Sequence, residues 1–214
     1  MAVLTTTTDD ASVIDGWIQQ NGGVNTWAAL REGAGSSHSV TDGGGNGLWL
    51  GASTTTNRWS YLRRFPILFN TTTIPASAII TSATISIYGS GYSNNFSLSV
   101  DCVTSNPASN TDLANGDFTS FGTTLLATSI ALSAWNNSNW NVFTLNATGI
   151  ANITKAGISK FGLRLSADTT NTEPAWSSGV NGYADFLFRG SAHPPTLTVT
   201  YSLPSGGAFL LNFI

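Results

Sequence analysis

The chain has 214 residues, enough to bury a full core in one β domain or to form two small domains. Charged residues are 9% of the chain, against roughly 25% in ordinary soluble domains. Ser, Thr and Asn together number 74, so hydroxyls and amides must supply most of the solvated surface. The net charge is −3 and Lys and Arg total eight, too few cations for binding to nucleic acid or to anionic membranes.

The N-terminus lacks the pattern of a secretory signal, which needs a cationic start and roughly 7–15 apolar residues. Either a signal was removed, or the protein assembles inside a cell and is exposed later, as phage virion proteins are. The initial Met1 favours the second explanation. We therefore expect a virion-surface location, with an extracellular or cell-surface location as the alternative.

Short strands separated by turns are predicted along the chain. The first is expected at 11–18, before a break at Asn21-Gly22-Gly23, and the Gly- and Ser-rich segment 31–47 is expected to be a loop. The clearest signal is 57–88, where two apolar runs flank a Thr-rich turn and side chains alternate with a period of two. Further strands are expected at 48–50, 94–104, 123–132, 141–145, 160–167, 183–189 and 196–201, with one helical turn at 148–156.

This pattern is typical of an all-β chain that forms a single antiparallel β-sandwich of jelly-roll type, with at most one short helix. We assign the sandwich to residues 1–201 and a hinge with an apolar tail to residues 202–214. Cys102 is the only cysteine, so no intrachain disulfide can form. It falls in the apolar register of 94–104, where we expect a small core residue, and its neighbour Asp101 is expected to point outward.

Five stretches in this order carry a resemblance to a known family: Asp10-Ala11-Ser12-Val13, Tyr61-Leu62-Arg63-Arg64-Phe65, Ile74-Pro75 with residues 79–85, Phe186-Leu187-Phe188-Arg189, and residues 194–201. Together they resemble DNRLRE-type domains, β-sandwich jelly rolls found in bacterial surface proteins and beside carbohydrate-active enzymes. The resemblance implies the sandwich fold, and some related modules bind polysaccharides. This chain has Pro66 and Gly190 where the family pattern has acidic residues.

The adjacent arginines Arg63 and Arg64 must point to opposite faces of their strand. One of them therefore lies against the core, where a carboxylate or backbone carbonyls must pair with it. Arg189 is a similar case. We interpret these arginines as partners in internal pairs of the fold, not as ligand-binding groups.

Motifs for catalysis are missing from the sequence, and we expect no enzyme and no cofactor. The eleven acids are scattered, and His38 and His193 have no neighbour at metal-ligand spacing. Structural calcium is the most plausible ion, with Asp42 and Asn46, or Asp112 and Asp117, as candidate ligands. The alternative is that these residues stabilise turns.

Seven tryptophans suggest sugar binding, because aromatic faces stack on pyranose rings. Trp135 and Trp140 in an Asn- and Ser-rich loop, and Trp176 after Glu173-Pro174, are the candidate carbohydrate-binding residues. The alternative for each is packing beneath a long loop. Trp17, Trp49 and Trp59 lie beside apolar strand patterns and are expected in the core.

The C-terminal segment after the Pro204–Gly207 hinge is uncharged, and six of its seven residues are apolar. Burying its five large side chains is worth roughly 7–15 kcal/mol before ordering costs, so we expect it to dock. It either covers a gap in its own sandwich or crosses to a neighbouring subunit. The predicted interface residues are Phe209, Leu210, Leu211, Phe213 and Ile214.

Two functions follow from these observations. The first is a non-catalytic structural protein, most plausibly a phage virion subunit such as a capsid decoration, which docks through its tail into a homo-oligomer or larger assembly. The alternative is a carbohydrate-binding module of a secreted or cell-surface protein, whose partner would be a polysaccharide.

Overall fold

The chain folds as one large antiparallel sheet with short helices, and the computed structural model describes residues 1–41 and 46–204. Strands hold 48% of the residues and helices 12%, which confirms the all-β prediction. The strands of the described chain are β1 (Ala2–Thr7), β2 (Trp17–Asn25), β3 (Ser37–Ser39), β4 (Gly47–Ala52), β5 (Trp59–Asn70), β6 (Ile79–Asn94), β7 (Ser99–Ser105), β8 (Phe121–Leu125), β9 (Ile130–Ala131), β10 (Trp140–Thr144), β11 (Ile158–Leu165), β12 (Asn181–Phe186) and β13 (Thr196–Ser202).

Three α-helices of five residues each lie in this part of the chain: α1 (Trp27–Arg31), α2 (Ala147–Ala151) and α3 (Ser166–Thr170). Two 3₁₀ turns, Asn115–Thr119 and Leu132–Ala134, accompany them. The expectation of at most one short helix is therefore wrong, because a five-residue helix is too short to show a helical period in the sequence. The predicted helical turn corresponds to α2, which Asn146 caps by accepting the N–H of Gly149.

The long strands β5 and β6 change partners along their length. The first half of β5 pairs with β2 and β4, and its second half pairs with β11. The first half of β6 pairs with β13 and β10, and its last residues pair with β12. The hydrogen-bonded path through the sheet is β1-β13-β6-β12-β4-β5-β11-β7-β8.

The strand expected at 11–18 lies later in the chain, because β2 begins at Trp17 and runs through the Gly22-Gly23 pair. Its register with β5 shifts between Asn21 and Asn25, and Gly23 has a φ of 70°. Glycine tolerates this left-handed backbone, so the pair forms an irregularity within the strand and not its end.

The core is centred on β5, where residues 64–69 are all buried, so this strand is covered on both faces. In β6, Ala83, Ile85 and Ile87 are buried between partly exposed neighbours, as the alternation predicts. Cys102 is fully buried as expected, and burial raises the pKa of its thiol to about 12. In the described ranges, no helix has the length and apolar character needed to cross a membrane.

Candidate functional site

An open groove of about 440 Å³ lies where the turn before β5, the start of α1 and the loop after α3 meet. We call it the Trp176 groove; its lining includes Thr26, Trp27, Asn57, Arg58, Glu173 and Trp176. This volume falls within the range of roughly 300–1,000 Å³ seen for small-molecule sites. The groove therefore has room for a small ligand.

A hydrogen bond from its ring nitrogen fixes the position of the Trp176 side chain. The Nε1 atom donates a hydrogen bond to the Arg58 carbonyl at 3.1 Å, and the side chain is half-buried. A ring fixed in this way loses little conformational freedom when a ligand stacks on it. The anchoring bond thus pre-forms one wall of the groove.

Trp27, which lines the groove, belongs to an aromatic pair. Trp27 is 6% exposed and packs edge-on against the buried Trp59, with ring centroids 5.5 Å apart. The Nε1 of Trp59 donates to Glu173 Oε1 at 2.8 Å, and the Nε1 of Trp27 donates to Asn171 Oδ1 at 3.2 Å. These bonds tie the loop after α3 to the core, and they hold the Glu173 carboxylate at the groove.

A helix cap and left-handed backbone conformations position other residues at and near the groove. Thr26 caps α1 by accepting the N–H of Ala29, which positions Trp27 at the first turn. Asn57 and Asn171 have φ values of 54° and 55°, in the left-handed region that asparagine tolerates better than most residues. The lining therefore offers a hydroxyl, an amide, a guanidinium and a carboxylate around the Trp176 ring.

A second aromatic feature crosses the half-exposed face of strands β2, β5, β4 and β12. The guanidinium of Arg63 lies 4.2 Å from the ring centre of Trp17 and 5.6 Å from that of Trp49. Trp49 stacks in turn on Tyr183 at 4.3 Å with an interplanar angle of 8°. We call these four side chains the planar stack. Since their faces cover one another, the stack chiefly stabilises the sheet.

Polar partners lock the planar stack onto the sheet. Trp49 Nε1 donates to Asp185 Oδ1 at 2.6 Å. Beside the stack, the ring centre of Tyr61 lies 6.2 Å from that of Trp49, and the Tyr61 hydroxyl donates to Asn181 Oδ1 at 2.8 Å. Burial raises the pKa of Asp185, although the Trp49 bond and the Arg63 charge oppose this. Tyr61 lies across Gly51, where a Cβ atom would collide with its ring.

A buried charge centre lies around Asp168, whose side chain is fully buried on α3. It accepts two hydrogen bonds from Arg64 and two from Arg164, and Arg31 Nε lies 3.5 Å from its Oδ1. Arg64 points inward and Arg63 outward, which confirms the prediction of opposite faces and internal pairing. Asp101 was expected outward but is 2% exposed, because both faces of β7 are covered and residues 100–103 are all buried.

Arg189 also serves the fold. Its backbone N–H donates to both carboxylate oxygens of the buried Asp15, and its guanidinium donates to the Val13 carbonyl. Burial raises the pKa of Asp15 to about 7. The carboxylates in contact with these arginine residues are thus Asp168 for Arg64 and Asp15 for the Arg189 backbone.

The structure separates the three candidate sugar-binding tryptophans. Trp135 is 3% exposed and packs near Phe186, which agrees with the alternative of packing beneath the loop and not with a sugar-binding surface. Trp140 is half-buried and lies edge-on to Tyr88 and His193, whose rings stack at 4.2 Å. Only Trp176 lies in the groove described above.

The predicted tail interface and the candidate calcium ligands have different outcomes. The tail residues Phe209, Leu210, Leu211, Phe213 and Ile214, and the calcium candidate Asp42, lie outside the described residues. Asn46 Oδ1 accepts a hydrogen bond from the ring of Trp17, 29 positions away. Asp117 accepts from the backbone N–H groups of Ala108 and Ala114, which is a turn-stabilising role. Within 1–41 and 46–204, no group of three or more His, Cys, Asp or Glu residues is placed to hold a metal ion.

Sequence reasoning missed several groove and stack residues. Trp59 is buried as predicted, whereas Trp17 and Trp49 were expected in the core and are only half-buried. For Trp49 a signal existed, because it alternates with the buried Leu48 and Leu50. Nothing in the local sequence indicates that Trp27 lies beside Glu173.

Comparison with known proteins adds no family assignment. No protein-family model matches the chain, and no curated protein matches it.

Proposed function

We propose that the protein is a non-catalytic β-sandwich that binds a neutral polysaccharide in the Trp176 groove. The observation that carries this proposal is the anchored Trp176 ring in an open groove with polar groups of four kinds. Aromatic faces pack against the C–H faces of sugar rings, and surrounding polar groups bind the hydroxyls. Arg58 and Glu173 contribute one charge of each sign, which suits a neutral ligand.

We further propose that the sheet forms a jelly-roll sandwich of the DNRLRE type. The partner changes along β5 and β6 support this, because long strands shared between sheets allow one hydrogen-bonded network to fold over on itself. The continuous burial of residues 64–69 also supports it, since both faces of β5 are covered.

The acidic group that lines the groove supports ligand binding and not hydrolysis. Glycoside hydrolysis requires two carboxyl groups roughly 5–10 Å apart. Glu173 is the acid among the residues that line the groove, and its carboxylate accepts a hydrogen bond from Trp59.

Glycan-array screening followed by calorimetry tests the proposal. The protein should bind at least one polysaccharide, and Trp176→Ala should weaken that binding about tenfold or more, equivalent to about 1.4 kcal/mol. Trp140→Ala is the matched control, because it removes a half-buried tryptophan outside the groove and should leave affinity unchanged. Absence of binding to any glycan, or equal affinity for Trp176→Ala, would contradict the proposal.

A second candidate function is a structural subunit of a phage virion, as a homo-oligomer or a larger assembly. It is favoured by the charge-poor composition and by the uncharged, apolar segment at the end of the chain. Light scattering coupled to size-exclusion chromatography should show an oligomer that is lost in a version ending at Ser205. If the full chain is a monomer, or if truncation leaves the oligomer intact, assembly through docking of the tail on a neighbouring subunit is excluded.

A further inference from the structure

An aliphatic groove of about 390 Å³ lies between the start of β6 and the helix α2. Its lining includes Ala78, Ile79, Ile80, Ile150, Ile153 and Lys155. We call it the β6–α2 groove. Ile79 is 57% exposed there, although other apolar residues of β6, such as Ile85 and Ile87, are fully buried. The groove is therefore an apolar surface left partly open to solvent.

The described chain ends beside this groove. In the sheet, Ser202 at the end of β13 pairs with Ile79, and Tyr201 pairs with Ile80. Leu203 follows immediately and is 58% exposed. The described chain thus ends at residues 203–204, one strand away from the groove-lining Ile79.

We infer that the β6–α2 groove binds the segment Ala208–Ile214 of the same chain. The chemistry of the two surfaces matches, because the segment has no charged side chain and the groove is lined mainly by aliphatic side chains. Lys155 already donates a hydrogen bond to the Ala78 carbonyl at 3.0 Å, so it does not call for an acidic ligand. Burial of both apolar surfaces then drives docking.

The linker length and the effective concentration favour docking of the segment on its own chain over docking of a segment from a second copy. Leu203 to Gly207 spans at most about 17 Å when extended, which is enough to enter a groove that borders Ser202. A linker this short gives an effective concentration in the mM range, so at about 10 μM protein the segment of the same chain outcompetes that of a second copy by roughly 100-fold. This inference does not depend on polysaccharide binding. It is an alternative to docking of the tail on a neighbouring subunit.

Crosslinking of engineered cysteines in the full chain tests the inference. Ala151→Cys places an exposed thiol on the groove, and Leu210→Cys places one on the segment. Bis-maleimidoethane should link them within one chain, seen as a monomer on a denaturing gel and as one crosslinked peptide by mass spectrometry. The native Cys102 is fully buried and should not react.

A matched control uses Tyr92→Cys with Leu210→Cys. Tyr92 is 40% exposed but lies twelve residues beyond Ile80 on β6, roughly 40 Å along the strand. Leu203 to Leu210 reaches at most about 27 Å. The groove pair should therefore crosslink at least about tenfold faster than the control, and Ile79→Asp should reduce that rate toward the control.

Two outcomes would overturn the inference. Crosslinked dimers in place of crosslinked monomers would show that the segment docks on a second copy, which would support the assembly function instead. Equal rates for the groove pair and the control, or no effect of Ile79→Asp, would show that the segment does not occupy this groove. Neither outcome bears on glycan binding.

Discussion

Replacing Asp168 with Asn tests whether one carboxylate balances the buried arginines. Arg64 and Arg164 are 5% and 2% exposed, and each donates two hydrogen bonds to Asp168. Asparagine keeps the shape but removes the charge, and its amide nitrogen would face guanidinium groups that can only donate. Both cations would then lack their buried anion.

The expected cost follows from this geometry. Removing one partner of a buried ion pair costs about 3–5 kcal/mol, and here two cations lose the same partner. A domain has about 5–15 kcal/mol of stability, so the variant should fold but unfold at a much lower urea concentration. Urea titration followed by tryptophan fluorescence measures this loss.

Asp112→Asn is the matched control, because Asp112 is exposed and its replacement should change stability by no more than about 0.5 kcal/mol. A loss for Asp168→Asn below about 1 kcal/mol would refute the reasoning. The pH dependence gives a second check. Burial raises the pKa of Asp168, but hydrogen bonds and charges from Arg64 and Arg164 outweigh it and hold the pKa below its ordinary value. The stabilisation is therefore present above about pH 4 and should be lost as the pH falls further.

Three further predictions concern the rest of the fold. The buried Asp15 has its pKa raised to about 7, so its contribution to stability falls as the pH rises above the carboxyl pKa of the unfolded chain. In urea titrations, the stability of the wild type relative to Asp15→Asn should drop by about 2–3 kcal/mol between about pH 5 and about pH 8. A difference that does not change with pH would contradict this. Gly89→Ala should lower the free energy of unfolding by about 1–3 kcal/mol, because a Cβ there overlaps the Asn136 carbonyl. Gly116→Ala is the control, because a Cβ there meets nothing within 4 Å. Equal thermal midpoints for the two variants would contradict the overlap. Cys102 should resist Ellman's reagent in the folded protein and react in concentrated urea, because its thiol is fully buried; rapid labelling without denaturant would mean that the strand opens.

Local alternation was enough to predict several features of this protein. In 79–88 it indicated which side chains share a face, and the structure buries Ala83, Ile85 and Ile87 as expected. It also placed Arg63 and Arg64 on opposite faces and Cys102 among apolar residues. These predictions hold because successive side chains of a strand must point to opposite sides, whatever the rest of the chain does.

The candidate site depended on contacts between distant parts of the chain. Asp168 balances Arg64 from 104 positions away, and Glu173 meets Trp59 from 114 positions away. Strand period cannot indicate which face becomes covered, so Trp49 was expected in the core but is half-buried. Loop composition could not decide between sugar binding and packing for Trp135, which the structure buries.

The sequence by itself determined the all-β class, the charge-poor surface and the alternation within strands, since these depend on composition and on neighbours along the chain. Only the tertiary structure decided where the helices and β2 begin, which acids pair with the buried arginines, and which tryptophan lines an open groove. Those features depend on strand register and order, which bring together residues more than a hundred positions apart.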